Sequence, residues 1–172
     1  MMPDQLKRLV REIPDFPKPG ILFRDITPLL SDGQALRSLV DLLADPFRGK
    51  VDIVVGIESR GFIVGAPVAY RLGVGLAIAR KPGKLPFSTI MQSYQLEYGS
   101  ASLEIHRDGL APAMRVLVVD DLLATGGTAE AALRLVSKLG AEPVGCAFVI
   151  ELSQLKGRQR LAPTECFALI KY

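Results

Sequence analysis

The chain has 172 residues, of which 49% are hydrophobic and 23% are charged, and its formal net charge at pH 7 is +3. This length and balance predict one globular domain with a buried core. The charge is too small to indicate a nucleic-acid partner, although it suits a ligand rich in phosphate. Cys146 and Cys166 lack the spacing of metal ligands, so we expect two reduced thiols and a cytoplasmic protein.

Neither end nor middle of the chain predicts a contact with a membrane. The first eight residues contain no apolar core of the kind found in signal peptides, and no apolar run reaches transmembrane length. No Walker A loop and no complete dinucleotide-binding glycine pattern occurs either, which excludes two common classes of nucleotide-binding protein.

The first 45 residues are predicted to form two helices and an edge strand. Apolar residues at helical spacing predict a short amphipathic helix over Asp4–Ile13, and Pro14 ends it. The run Ile21–Ile26 lies between turns and is too short for a packed helix, so it predicts an edge strand. Gly33–Asp45 again carries apolar residues at helical spacing and predicts the second helix.

A first strand–turn–helix unit follows. Val51–Gly56 predicts a core strand, and the pattern over residues 62–72 predicts a helix. The turn between them contains Ser59, Arg60 and Gly61. Such a turn favours an anion because N–H groups at a helix N-terminus are unpaired, and an arginine adds several donors for phosphate oxygens. An exposed arginine on a loop is the alternative that these residues alone leave open.

The next stretch combines a strand, a basic loop and a polar segment. Gly75–Arg80 predicts a second core strand, and the loop after it carries Lys81 and Lys84. A basic loop is usually just solvated, but this one leaves the same edge of the sheet as the earlier turn. Its lysines could therefore meet an anionic group there. Phe87–Leu103 has few core-like residues, and a mobile lid and a polar β-hairpin are equally consistent with it.

The most informative stretch begins with the unbroken apolar run Val116–Val119, which predicts a parallel strand buried on both faces. Asp120 and Asp121 follow, then the Gly/Thr loop Ala124–Thr128 and a predicted helix over Ala129–Leu139. Ligands bind at the carboxyl ends of strands in open α/β sheets. The carboxylates can accept hydrogen bonds from two sugar hydroxyls, and the loop can donate to a phosphate. Together they predict a ribose 5-phosphate site; a tight turn beside solvated carboxylates is the alternative.

The alternation of strands and helices predicts an α/β fold with a parallel sheet of about five strands flanked by helices. Its last two strands are predicted over Pro143–Leu152 and Cys166–Ile170, with a surface turn over Ser153–Ala162 between them.

The run Val118–Thr128 resembles the phosphoribosyl-pyrophosphate motif of the type I phosphoribosyltransferases, and its Leu-Leu-Ala-Thr-Gly-Gly-Thr segment is similar to the adenine-specific members. Phe-Pro-x-Pro-Gly-x-x-Phe-Arg-Asp-Ile near the N-terminus, Ser-Tyr-x-Leu-Glu-Tyr-Gly over residues 93–99 and Leu-Lys-Gly-Arg over residues 155–158 extend the resemblance. It therefore covers nearly the whole chain, from about Ile13 to Tyr172. Pro82 departs from it, because relatives often carry a basic residue there.

The resemblance implies a type I phosphoribosyltransferase-like fold with a small N-terminal hood over residues 1–34. The core would span residues 35–172, with a mobile catalytic loop at about 81–102. It also implies a reaction in which adenine and phosphoribosyl pyrophosphate (PRPP) give AMP and pyrophosphate, with Mg²⁺ as cofactor in a homodimer. An enzyme for xanthine or hypoxanthine, and a regulator that senses PRPP on the same fold, are the alternatives.

The resemblance also implies a role for each site residue. Phe23 would pack on the purine, with the backbone around Arg24 at the edge of the base. Glu97 would be the catalytic carboxylate and Tyr98 the aromatic residue of the lid. Asp120 and Asp121 would hold the ribose hydroxyls, directly or through the metal, which substrate and water would mainly bind. The pyrophosphate would meet Ser59, Arg60, Lys81 and Lys84, and the 5′-phosphate would meet Ala124, Thr125, Gly126, Gly127 and Thr128.

Overall fold

The structure is a computed structural model that describes residues 1–95 and 99–172. Its helices are α1 (Pro3–Lys7), α2 (Thr27–Ser31), α3 (Gly33–Ala44), α4 (Arg60–Leu72), α5 (Gly127–Lys138) and α6 (Gly157–Leu161). Its strands are β1 (Arg11–Ile13), β2 (Phe23–Asp25), β3 (Ile53–Ile57), β4 (Gly75–Ala79), β5 (Thr89–Gln95), β6 (Ser100–His106), β7 (Arg115–Leu123), β8 (Glu142–Glu151) and β9 (Cys166–Lys171). Short 3₁₀ turns occupy Asp45–Phe47 and Ser153–Leu155.

The central sheet has five parallel strands in the order β4-β3-β7-β8-β9. This confirms the prediction of an α/β fold with about five parallel strands. The order reverses between β3 and β7, so the chain passes from one half of the sheet to the other there, which is where such folds bind ligands. None of the helices in the described ranges is long and apolar enough to cross a membrane.

Both faces of the sheet are covered, and β7 shows why its sequence is an unbroken apolar run. Leu117 and Val119 pack in the cluster that contains α3 and α4, whereas Val116 and Val118 pack in the cluster that contains α5. All four side chains are fully buried. A parallel strand between two layers of helices needs apolar residues on both sides, as the sequence predicts.

The N-terminal segment differs from its prediction. The helix predicted over Asp4–Ile13 ends at Lys7, and Arg11–Ile13 forms β1, which pairs antiparallel with β2. The apolar residues Leu6 and Val10 are buried as a helix would bury them, but the chain turns between them. Pairing with a distant strand therefore overrides the local helical pattern. The predicted edge strand over Ile21–Ile26 is confirmed by β2.

The structure also bears on the predictions for two later segments. Within residues 87–95 and 99–103, β5 and most of β6 pair antiparallel from Thr89–His106 to Gln95–Ser100, as the hairpin alternative expects, and a role as a mobile lid stays a prediction. Glu97 and Tyr98, the predicted catalytic and lid residues, lie outside the described residues. The surface turn predicted over Ser153–Ala162 is wrong in part, because it contains α6, whose Leu161 is buried.

Candidate active site

A cleft of about 620 Å³ opens where β3 and β7 end. The turn after β3 contributes Ser59 and Arg60, and the loop after β4 contributes Lys81. The end of β7 and its loop contribute Asp120, Asp121, Ala124 and Thr128. Residues that the sequence assigned to a sugar, a 5′-phosphate and a pyrophosphate therefore share one cleft.

The sequence predicted that the acidic pair follows the strand, but Asp120 and Asp121 lie inside β7. The strand continues to Leu123 because its pairing with β8 extends to Glu151. The Asp120 carboxylate accepts a hydrogen bond from the backbone N–H of Asp121, with Oδ1 and N 2.9 Å apart. Burial, and then the neighbouring carboxylate of Asp121, raise the pKa of Asp120 well above its usual value.

Arg60 forms an ion pair with Asp121, with Nε and Oδ2 2.7 Å apart. The Asp121 side chain is 10% exposed and that of Arg60 is 36% exposed, so the pair lies at the wall of the cleft and not in open solvent. The guanidinium carbon of Arg60 also lies 5.2 Å from the centre of the Phe23 ring. Arg60 thus connects the predicted pyrophosphate turn to both the carboxylates and the predicted base site.

The close approach of α4 to β7 depends on Gly61. A Cβ at this position would lie 2.8 Å from the carbonyl oxygen of Val119 and 2.9 Å from Oδ1 of Asp120. Any side chain at position 61 would therefore separate the turn from the carboxylates. The peptide bond between Glu58 and Ser59, just before this contact, is cis.

The Gly/Thr loop forms a second, smaller cavity of about 70 Å³ beside the cleft. Its lining includes Thr125, Gly126 and Gly127, and it shares Asp120, Ala124 and Thr128 with the larger cleft. Gly126 has a φ of 84°, a left-handed conformation that places it at the N-cap of α5. The first turn of this helix leaves N–H groups without helical partners, and the helix dipole favours an anion there.

Among the described residues, three predicted site residues line neither the cleft nor the smaller cavity: Phe23, Arg24 and Lys84. The Arg24 guanidinium forms an ion pair with Glu12 and lies over the ring of Tyr172, 3.8 Å from its centre. Lys84 is exposed, and its backbone N–H and carbonyl bond to Glu104 and Arg80. Phe23 is half-buried beside Arg60 and reaches the edge of the site through that contact.

The structure adds two carboxylates that the sequence reading missed, Glu58 and Glu104. Glu58 accepts hydrogen bonds from Nη2 of Arg80 at 2.9 Å and from the backbone N–H of Lys81 at 2.8 Å. These two contacts lower its pKa, with the Arg80 contact the larger cause. Glu58 comes directly after β3, and the basic loop follows the adjacent strand β4. The sequence position of Glu58 could therefore have predicted its contact with that loop.

Glu104 gave no such signal, because it lies in a stretch whose sequence looks polar and exposed. It is 7% exposed and accepts hydrogen bonds from the backbone N–H groups of Lys84 and Leu85 and from the hydroxyl of Thr89, each at 3.3 Å. The basic loop is thus held between two carboxylates, one on each side.

This geometry defines a class: an α/β protein with a Gly/Thr loop and a carboxylate pair at the end of its central strand. Residues 29–171 match the family of the phosphoribosyl transferase domain. The adenine phosphoribosyltransferase of Syntrophotalea carbinolica is 54% identical over 170 residues, which cover 98% of this chain and 99% of that protein.

Solved structures agree with the sequence comparison. The adenine phosphoribosyltransferase of Thermoanaerobacter pseudethanolicus superposes with a TM-score of 0.97 at 49% identity, covering 99% of this chain and 100% of that one. The Saccharomyces cerevisiae enzyme, in complex with adenine and an imino-altritol bisphosphate, superposes with a TM-score of 0.92 at 40% identity, covering 97% of each chain. The chain belongs to the adenine phosphoribosyltransferase branch of the phosphoribosyltransferase family.

Proposed function

We propose that this chain transfers the 5-phosphoribosyl group of PRPP to N9 of adenine and gives AMP and pyrophosphate. The observation that carries the proposal is the single cleft in which the carboxylate pair, the Gly/Thr loop and Arg60 meet. The yeast relative whose complex contains adenine and a sugar-like bisphosphate supports both substrates. In this reaction N9 forms a bond to the anomeric carbon while the bond from that carbon to the pyrophosphate oxygen breaks, and the carbon is inverted.

The ribose 5-phosphate end of PRPP binds at β7 and α5 in this proposal. Residues Ala124–Thr128 donate backbone and hydroxyl hydrogen bonds to the 5′-phosphate, supported by the dipole of α5. Asp120 and Asp121 hold the two ribose hydroxyls. The support for this assignment is that the small cavity of the loop and the larger cleft share Asp120, so the proposed phosphate and diol sites are neighbours.

The pyrophosphate end binds at the turn after β3. Ser59, Arg60 and Lys81 line the cleft there, and Lys84 adds a positive charge from the same basic loop. As pyrophosphate leaves, negative charge accumulates on its oxygens, and fixed cations stabilise this charge without reorganising. The Arg60–Asp121 pair holds the guanidinium at the cleft wall before substrate arrives.

Mg²⁺ fits this site as an ion bound mainly by substrate. Within residues 1–95 and 99–172, no three His, Cys, Asp or Glu side chains lie close enough together to hold a metal ion. Asp120 and Asp121 offer carboxylate oxygens, and PRPP and water would supply the remaining ligands, as this cation prefers. When bound, the ion would neutralise charge on the pyrophosphate.

The base and lid assignments rest on the family resemblance. Phe23 packs on the purine, and the backbone around Arg24 contacts the edge of the base. Glu97 acts on a purine proton or on the positive charge of the sugar, and Tyr98 closes the lid over it. We also propose that the enzyme works in the cytoplasm, where its two free cysteines stay reduced, and that it is a homodimer.

Incubation of the purified chain with PRPP, Mg²⁺ and one base at a time tests the proposal. Adenine should give AMP with release of pyrophosphate, and hypoxanthine and xanthine should give at most a small fraction of that rate. Faster conversion of another purine would reassign the base specificity. Binding of PRPP without turnover of any base would make the chain a sensor and overturn the proposed reaction.

A further inference from the structure

The first residue of α6, Gly157, touches the backbone of the Gly/Thr loop directly. A Cβ at Gly157 would lie 2.2 Å from the carbonyl oxygen of Ala124 and 3.0 Å from the amide nitrogen of Gly126. From the other side, a Cβ at Gly126 would lie 2.6 Å from the carbonyl oxygen of Gly157. The two glycines therefore face each other with no room for a side chain on either one. The nearest atoms belong to backbone, which cannot rotate out of the way as a side chain can.

Helix α6 is itself fixed to the sheet and to α5. Arg158 makes two hydrogen bonds to Glu151 at the end of β8, at 2.5 Å and 3.1 Å, and another to the carbonyl of Cys166 at the start of β9. Glu151 is only 6% exposed, so the carboxylate side of this bidentate pair is buried, whereas the Arg158 side chain is 39% exposed. Arg160 pairs with Glu130 in the first turn of α5, with Nε and Oε2 2.9 Å apart. These bonds hold α6 at a set distance from the loop.

We propose that Gly157 is a positioning residue for the 5′-phosphate, acting through Ala124 and Gly126. The inference rests on the proposed function, in which this loop binds the 5′-phosphate. The backbone of Gly157 sets how close the loop lies to α6, and hence where the loop's N–H groups point. A side chain at position 157 displaces the loop, which weakens binding of the phosphate while the base and ribose contacts on the other side of the cleft remain.

Binding of AMP and of adenosine to Gly157→Ala tests this role, because the two ligands differ only by the 5′-phosphate. We expect the dissociation constant for AMP to rise by ~10-fold or more, since small displacements of positioning groups have large effects. The dissociation constant for adenosine should stay within about 2-fold of the wild-type value, as expected when a variant acts independently of the base and ribose contacts. The selective loss distinguishes positioning from general destabilisation.

Gly145→Ala is the matched control. A Cβ at Gly145 would lie 2.5 Å from Cε1 of Phe47, so this variant also crowds a packed position, but against a side chain in the core and away from the cleft. This variant should lose thermal stability while the ratio of AMP to adenosine affinity stays at its wild-type value.

Arg158→Lys decides the question if Gly157→Ala does not fold. It keeps the positive charge beside Glu151 but removes one of the two hydrogen bonds, so α6 is held less firmly. A weaker but equally selective loss of AMP affinity supports the proposal. Folded variants with no loss, or with equal losses for AMP and adenosine, overturn it. Wild-type protein that fails to bind AMP would overturn the proposed function as well, whereas unchanged variants overturn the role of Gly157 alone.

Discussion

Asp120 and Asp121 are neighbours on β7, yet they make different contacts. Asp121 pairs with Arg60, whereas Asp120 packs against Gly61 and accepts the N–H of Asp121. Burial and the adjacent carboxylate raise the pKa of Asp120. The folded chain therefore binds a proton at Asp120 more tightly than the unfolded chain does, which favours folding in acid and disfavours it at neutral pH.

Asp120→Asn should raise the melting temperature at neutral pH. The contribution of a carboxyl with a raised pKa is complete below its unfolded pKa, ~3.9, and is lost as the pH rises through the folded value. The difference between variant and wild type should therefore grow from pH 4 toward pH 8. Scanning calorimetry across this range measures it. A difference independent of pH would remove the charge of Asp120 as the cause.

Asp121→Asn should lower kcat/KM by at least ~10-fold, or ~1.4 kcal/mol, because it removes the charge that holds Arg60 and, in the proposed site, a sugar hydroxyl. Steady-state kinetics with PRPP and adenine measure the effect. Asp41→Asn is the matched control, because Asp41 forms an exposed ion pair with Arg71 outside the cleft. If kcat/KM of Asp121→Asn changes as little as that of the control, Asp121 is excluded from the site.

Glu97→Gln should lower kcat and kcat/KM together, by ~10²–10⁴ if Glu97 acts as an acid–base group. The dissociation constants for adenine and AMP should stay close to those of the wild type. Single-turnover rates and equilibrium binding on one preparation measure both, with exposed Glu165→Gln as control. A normal single-turnover rate with weakened binding would make Glu97 a substrate clamp and end its catalytic assignment.

At the scale of elements, the hairpin of β5 and β6 fixes the basic loop to the edge of the sheet. Arg80 and Glu104 exchange two backbone hydrogen bonds, of 2.9 Å and 2.8 Å, where β4 ends. The Glu104 carboxylate then accepts from Lys84 and Leu85, while Glu58 accepts from Arg80 and Lys81 on the other side. The carboxylates of Glu58 and Glu104 therefore fix the shape of the proposed pyrophosphate loop by accepting its hydrogen bonds.

Glu104→Gln should loosen this loop. The amide places an N–H₂ group among backbone donors, so buried hydrogen bonds are lost at a cost of about 1–3 kcal/mol. We expect faster hydrogen exchange at Lys84 and Leu85 and a higher KM for PRPP, with a smaller change for adenine. Glu142→Gln, at an exposed site, serves as control. Unchanged exchange at both amides would show that Glu104 does not hold the loop.

At the scale of the whole molecule, the site exists because the sheet brings distant segments together. Arg60 follows β3 and Asp121 lies at the end of β7, and the two strands are adjacent in the sheet although a strand, a helix and a hairpin separate them in sequence. A ligand that bridges these segments binds the folded chain and not the unfolded one, so binding stabilises the whole fold.

AMP should raise the melting temperature without metal, because the 5′-phosphate loop donates from N–H and hydroxyl groups. At 100 times its dissociation constant AMP adds ~2.7 kcal/mol, which corresponds to about 5–10 °C for a chain of this size. The shift should persist with a chelator, which should stop turnover of PRPP. If a chelator also abolishes the rise in melting temperature with AMP, then binding of AMP needs the metal and the prediction is wrong.

The sequence by itself determined the layers of the fold and the local structure of most of the proposed phosphate site. Val116–Val119, the Gly/Thr loop and the start of α5 are contiguous, so their apolar run, glycines and helical spacing specify local structure directly. The turn at Ser59 and Arg60 was predictable for the same reason. The resemblance to the phosphoribosyltransferases rests on these contiguous motifs.

Only the tertiary structure decided which distant groups meet. The pairing of β1 with β2 replaced the end of a predicted helix, because the hydrogen bonds of a strand depend on a partner elsewhere in the chain. The burial of Glu104 and the contact between Gly126 and Gly157 likewise arise where separate elements pack together. Such contacts cannot be predicted from a local pattern. Hydrophobic periodicity indicates which face of a helix or strand is buried, but not which residues pack against that face.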